Sequence, residues 1–258
     1  MMTILEDLLS SLTEDFPVHS MLVGAHWAVV CSRYCGMAAT QSSNCTHGHE
    51  QIRDVGRLHQ KSARELAELA YSTQPLEAAI GVAAINSMLD GDESLAVEVN
   101  ASKVLASRGR GKNVALIGHF PFIQQLRQSA KNLWVIEQHP TEDEYPAESA
   151  GDLLPQADVI AITGSALVNH TLDGLLLLCK PASSVMVLGP STPLSPILFD
   201  HGINIRPGYL VENVPAVAAV AHQPGFAQQH QVLRNMCLAQ PQMRFHVAHT
   251  LLAIAQDF

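Results

Sequence analysis

From Lys112 onward the sequence alternates short apolar runs with helical segments, and this alternation leaves the second half of the chain few architectures to choose from. Asn113 to Ile117, Leu133 to Glu137, Val159 to Thr163 and Ser184 to Leu188 are runs of strand length bounded by turn residues. Helical patterns fall between them, near 121–130, 147–154 and 166–179. A helix near 194–201, a strand near 209–211 and terminal helical segments complete the expected order. Strands that are apolar throughout and alternate with helices make an open parallel sheet covered on both faces. The fold class is therefore α/β, with an open parallel sheet in the second half.

The first half has a different texture. Residues 3–15 place Ile4, Leu5, Leu8, Leu9 and Leu12 on one side of a helix that Pro17 ends. Three short strands, 18–23, 27–31 and 35–40, are separated by Gly24 and by Arg33-Tyr34 and predict an antiparallel meander. A polar loop spans 41–49. Ser62 followed by Glu65 is a capping-box pattern opening a helix to about Tyr71. A second helix begins near Pro75 and carries Ala78, Ala79, Gly81, Ala83 and Ala84, small enough to let another element pack close, in the core or as the subunit contact of a homodimer. A helix over 94–107 leads to the Gly109-Arg110-Gly111-Lys112 connection. Two domains are expected, 1–108 (smaller, α+β) and 112–258.

The 258 residues allow two cores of modest size, and the formal charge of −9 argues against a nucleic-acid partner, which needs clustered Lys and Arg. No apolar run approaches the ~20 residues of a membrane span. Glu6 and Asp7, with no basic segment ahead of an apolar one, predict no secretory signal. Five cysteines, an odd number without a CxxC pair, predict reduced thiols and a cytoplasmic location.

In open parallel sheets, ligands sit outside the carboxyl ends of the strands. The first strand here is followed by Gly118-His119-Phe120-Pro121, the second ends on Glu137, and the third is followed by Thr163-Gly164-Ser165 with Asn169, His170 and Thr171 beyond. The fourth is followed by Gly189-Pro190-Ser191-Thr192. Each loop alone reads as turn chemistry. Four on one rim predict a pocket for a polar or anionic small molecule, with backbone N–H groups and hydroxyls as its binding groups. His119 and Glu137 are the candidate proton carriers. Glu137 lies near the ~20-residue spacing at which a Rossmann carboxylate meets a ribose hydroxyl, but no G-x-G-x-x-G accompanies it. Gly164-Ser165 lacks the G-x-S-x-G of a nucleophile elbow. Cys45-Thr46-His47-Gly48-His49-Glu50 offers alternating metal-ligand types, though zinc ligands usually stand farther apart, and a structural or incidental role is the preferred reading. Glu142-Asp143-Glu144 reads as a solvated loop.

The segments 113–122, 163–172 and 188–194 resemble a family named for heavy-metal chelation, and 24–27, 35–38 and 78–86 are similar to its smaller domain. The resemblance implies an enolase N-terminal-like domain, then a Rossmann-like domain, with a site between the two. It implies condensation or hydrolysis chemistry on flavin-, pterin- or siderophore-like molecules, or heavy-metal chelation. Its site would use Asn86, Gly118, His119, Glu137, Thr163, Asn169 and the Gly189 to Thr192 loop; the Cys45 to Glu50 stretch is not part of the pattern. The expected partner is a small molecule or metal complex, and the expected cofactor, if any, a transition metal whose ligands the sequence does not name. Two alternatives stand beside this: a non-catalytic metal-binding protein, and an S-adenosylmethionine-binding methyltransferase-like protein.

Overall fold

The antiparallel meander forms as β1 (Ser20–Val23), β2 (Trp27–Cys31) and β3 (Cys35–Ala39), in the order β1-β2-β3. The computed structural model describes residues 2–40, 52–90, 96–97, 101–211 and 233–239, with 96–97, 206–211 and 233–239 described by backbone alone. Helix α1 (Ile4–Ser11) begins at a capping box between Thr3 and Glu6 and buries Ile4, Leu5 and Leu8. Helix α2 (Ala63–Ala67) begins at the expected capping box of Ser62 and Glu65 and continues as a 3-10 turn to Tyr71.

Helix α3 (Pro75–Met88) is the centre of the N-terminal unit, and its small residues are explained within the chain. Ala78, Ala79, Ala83 and Ala84 are fully buried. A Cβ on Gly81 would lie 1.9 Å from the Ala70 backbone nitrogen, and one on Gly36 of β3 would lie 2.2 Å from the Ala83 carbonyl oxygen. The helix is thus wedged between the 3-10 turn and the meander, and those residues offer no surface to a second subunit.

The expectation of reduced thiols is corrected at one place. Register places Cys31 directly opposite Cys35, with Cα atoms 4.0 Å apart, and the two are joined as a disulfide; Cys179 is free. The Cys45 to Glu50 stretch lies outside the described residues.

The second unit begins with β4 (Ala96–Val97) and α4 (Ala101–Gly109), so part of the helix expected over 94–107 is strand. It continues with β5 (Asn113–Ile117), α5 (Ile123–Ser129), β6 (Asn132–Glu137), β7 (Tyr145–Pro146) and α6 (Ala150–Leu153). Then follow β8 (Val159–Thr163), α7 (Ser165–Val168), α8 (Leu172–Leu178), β9 (Ser184–Leu188), α9 (Ile197–Asp200), β10 (Ile205–Val211) and β11 (Leu233–Ala239). The sheet order is β4-β11-β10-β9-β8-β5-β6-β7. The run from β10 to β7 is parallel, and β11 pairs antiparallel with both β10 and β4. Of the stretch after Val211, where helical segments are expected, residues 233–239 form β11 because β10 offers them an edge, a cue that no local pattern carries; 212–232 and 240–258 lie outside the described residues.

Side chains alternate between the two faces of this sheet. Val114, Leu116, Val135, Val159 and Ala161 join one apolar cluster with Val104 and Leu105 of α4 and Leu126 of α5. Ala115, Ile136, Ile160, Ile162, Val185 and Val187 join the other, which runs without a break into α1, α2 and α3. The N-terminal unit therefore covers part of one sheet face. Each fully buried Ile or Val there contributes about 1.5–3 kcal/mol. Among the described residues, no helix is long and apolar enough to cross a membrane.

Candidate functional site

From β5 the chain steps outward to β6 and β7, then returns to place β8 on the other side of β5. The carboxyl ends of β5 and β8 are therefore a topological switch point, where an open α/β sheet leaves a crevice. A cleft of about 400 Å³ opens there. Gly118 turns the chain out of β5 with φ 107°, and a Cβ on it would stand 3.0 Å from the Thr163 side chain. Only glycine holds this backbone without strain while the two strand ends approach so closely.

Ile117, Ile136, Ala147, Ala150, Ala166 and Leu175 supply apolar wall, and His119, Glu137, Thr163, Ser165, Asn169 and Thr171 supply the polar groups. Glu137 is half-buried, and its Oε2 accepts from the Gln138 N–H (3.2 Å). Asn169 Oδ1 accepts from both the N–H (3.2 Å) and the hydroxyl (2.7 Å) of Thr171, which orients the amide and leaves Nδ2 as its donor.

These last residues reach the cleft because the helix expected over 166–179 is broken. His170 has φ 59°; its N–H donates to the Leu167 carbonyl and the Thr171 N–H to that of Ala166. That is a Schellman end, with His where Gly usually stands. The N-terminal unit braces it, since His170 Nε2 donates to the Ser72 carbonyl (2.9 Å), and the Ser72 hydroxyl donates to the buried Glu77 carboxylate (2.6 Å).

His119, two-thirds exposed at the rim, pairs through Nδ1 with Glu144 Oε1 (2.8 Å). Glu144 Oε2 accepts from the Thr141 N–H (2.9 Å). The Thr141 amide, then the His119 hydrogen bond, hold the Glu144 carboxyl below the usual carboxylate range. The carboxylate in turn favours the imidazole tautomer with its proton on Nδ1, leaving Nε2 as an acceptor. Glu144 was not visible in the sequence as a site residue: it stands in an acidic loop with no spacing that ties it to His119.

Seven of the expected residues therefore meet in one cleft: Gly118, His119, Glu137, Thr163, Ser165, Asn169 and Thr171. The others lie elsewhere. Phe120 stacks on Phe122 (5.2 Å between centroids) and packs with the opposite sheet face. Gly164 is pressed against Thr192, whose hydroxyl would stand 2.7 Å from an added Cβ. Gly189 and Pro190 lead into Ser191 and Thr192, which are sealed under β3, where Ser191 Oγ accepts from the Ala39 N–H (2.8 Å). Asn86 donates to the Met37 carbonyl (2.9 Å). Asn86 Oδ1 and Thr192 Oγ1 are buried without a partner among the described residues. Among the described residues, those lining the cleft fall within 117–175, and the first unit braces this side of the site through the Ser72 carbonyl and His170.

Comparison with known proteins agrees with this architecture. An uncharacterized protein of Methanocaldococcus jannaschii is 28% identical over 210 residues, spanning 75% of this chain and 78% of the relative. A crystal structure of a DUF364-family protein of unknown function from Desulfitobacterium hafniense has a TM-score of 0.80 at 25% identity, covering 92% of this chain and 98% of that one. Another from the same family, of Pyrococcus horikoshii, shares the fold with a TM-score of 0.77 at 22% identity, covering 92% and 98%. Family models described as "Putative heavy-metal chelation" match residues 5–89 and 100–235, and the chain belongs to that family.

Proposed function

We propose that the switch-point cleft binds a small polar heterocycle, of the kind from which metal chelators are built, and that His119 and Glu137 move protons on it. The reading rests on one observation: three separate strand ends deliver a histidine with a carboxylate behind it, a second carboxylate, an oriented amide and hydroxyls to one cleft with apolar walls. Apolar wall takes the ring face, and the polar groups fix its edge. His119, held by Glu144, is set to accept a proton at Nε2 and return it, as condensation or hydrolysis requires. Glu137 stands on the β6 end as the second acid–base group.

A metal bound directly by the chain fits less well. Among the described residues, no three His, Cys, Asp or Glu side chains are grouped to hold an ion. The chelation in the family's description then concerns the small molecule rather than the chain.

Thermal-shift measurements against a panel of flavins, pterins, catechols and S-adenosylmethionine test the reading. At least one compound is expected to stabilise the protein, with the shift lost in Glu137→Gln and in Asn169→Ala. Shifts that survive both substitutions would remove the cleft from consideration.

A further inference from the structure

Glu137 closes the second strand of the parallel set, beside the Gly118 turn that closes the first. In a Rossmann-like sheet, a carboxylate at that point meets the vicinal hydroxyls of a ribose. One oxygen of Glu137 accepts from Gln138; the other has no partner among the described residues and is free to accept from a ligand hydroxyl. The apolar wall suits a flat base. A volume of about 400 Å³ lies at the small end of the ~300–1,000 Å³ usual for small-molecule sites, enough for a ring and a sugar.

The described residues of the cleft are poorly matched to a phosphate. Arg, Lys or a fan of backbone N–H groups would have to face it. No Lys or Arg is among the described residues lining the cleft. The turn that carries glycines in dinucleotide-binding sheets is here Gly118-His119-Phe120-Pro121; Pro121 has no N–H, and α5 starts only at Ile123. Glu137, and Glu144 behind His119, would repel an anion. We infer that the cleft takes an unphosphorylated nucleoside, its ribose diol held by Glu137, and discriminates against the corresponding nucleotide. This deepens the reading of the cleft proposed above and rests on it.

Isothermal titration calorimetry on the full chain is the test, with adenosine, guanosine, cytidine and uridine, each beside its 2′,3′-dideoxy analogue and its 5′-monophosphate. At least one nucleoside binds, and its dideoxy analogue and monophosphate each bind about ten-fold more weakly or worse, as for a site that hydrogen-bonds a ligand hydroxyl. Glu137→Gln brings the nucleoside down towards its dideoxy analogue and leaves the analogue unchanged; circular dichroism melting checks that the variant is folded. The comparison of nucleoside with nucleotide needs no variant. A monophosphate that binds as well as its nucleoside, or a nucleoside indifferent to Glu137→Gln in folded protein, overturns the inference. If no nucleoside binds, yet another heterocycle gives a thermal shift that Glu137→Gln and Asn169→Ala abolish, the nucleoside assignment fails and the broader reading stands. If no compound responds to either substitution, both fail.

Discussion

Glu144 does two things with its two oxygens: one receives His119 Nδ1, and the other receives the Thr141 amide and so closes its own loop. Both interactions favour the charged carboxylate, and its pKa is depressed from 4.5 in consequence, first by the Thr141 amide and then by His119. A group whose folded pKa is depressed stabilises the protein above its unfolded pKa, and that stabilisation is lost as pH falls through the folded value. Glu144→Gln should therefore lower the melting temperature at neutral pH. The gap between wild type and variant should shrink as pH drops below 4.5. Melting curves by circular dichroism from pH 7 to pH 3 read this directly, and a gap that widens in acid would contradict the assignment. At this scale, residues at strand ends were legible because their position follows from the sheet. The loop carboxylate was not, because nothing local distinguishes a solvated Glu from one that turns inward.

The elements differ in the same way. The bounds of β5, β8 and β9 follow from the sequence because apolar runs end at glycine or polar turns, and both faces of a central strand want apolar side chains. The break between α7 and α8 does not, since Leu172 to Leu178 continues the apolar pattern and the interruption depends on His170 adopting a left-handed backbone. That break brings Asn169 and Thr171 to the cleft, so the least legible element boundary is the one the candidate site uses. Helix α3 was legible as a close-packing helix but not as to its partner. The small residue at position 81 makes a measurable prediction. A methyl group there would meet the Ala70 backbone at 1.9 Å, with no flexible side chain to give way. Gly81→Ala usually favours a helix by about 1 kcal/mol. Here overpacking, typically about 1–3 kcal/mol and occasionally more, should outweigh it. Urea denaturation should show a net loss of stability, and a stabilised variant would mean that the 3-10 turn is not seated on α3 as described.

Across the whole molecule, the N-terminal unit and the sheet share one apolar cluster. Polar links cross the same seam: the Ile4 N–H donates to Asp173 Oδ1 (3.0 Å), His201 Nε2 pairs with Asp7 Oδ2 (2.7 Å), and His170 reaches the Ser72 carbonyl. The fully buried members of this shared cluster include Ile4, Leu8 and Ile80 of the first unit and Ile160 and Ile162 of the sheet, and separating the units would open the cluster. Exposing several such side chains at about 1.5–3 kcal/mol each would consume much of the ~5–15 kcal/mol by which a domain is stable. The two units should therefore unfold as one cooperative block. The chain carries its own reporters, because its 2 tryptophans fall one in each unit, Trp27 on β2 and Trp134 on β6. In Trp27→Phe the remaining fluorescence reports the sheet, and in Trp134→Phe it reports the meander. Within each variant, tryptophan fluorescence and far-ultraviolet circular dichroism should give the same urea midpoint and the same slope. A meander that loses its fluorescence signal at lower urea than the bulk of the secondary structure would show that the seam does not couple the units. The brace from Ser72 to His170 would then be too weak to hold the Asn169 side of the cleft in place.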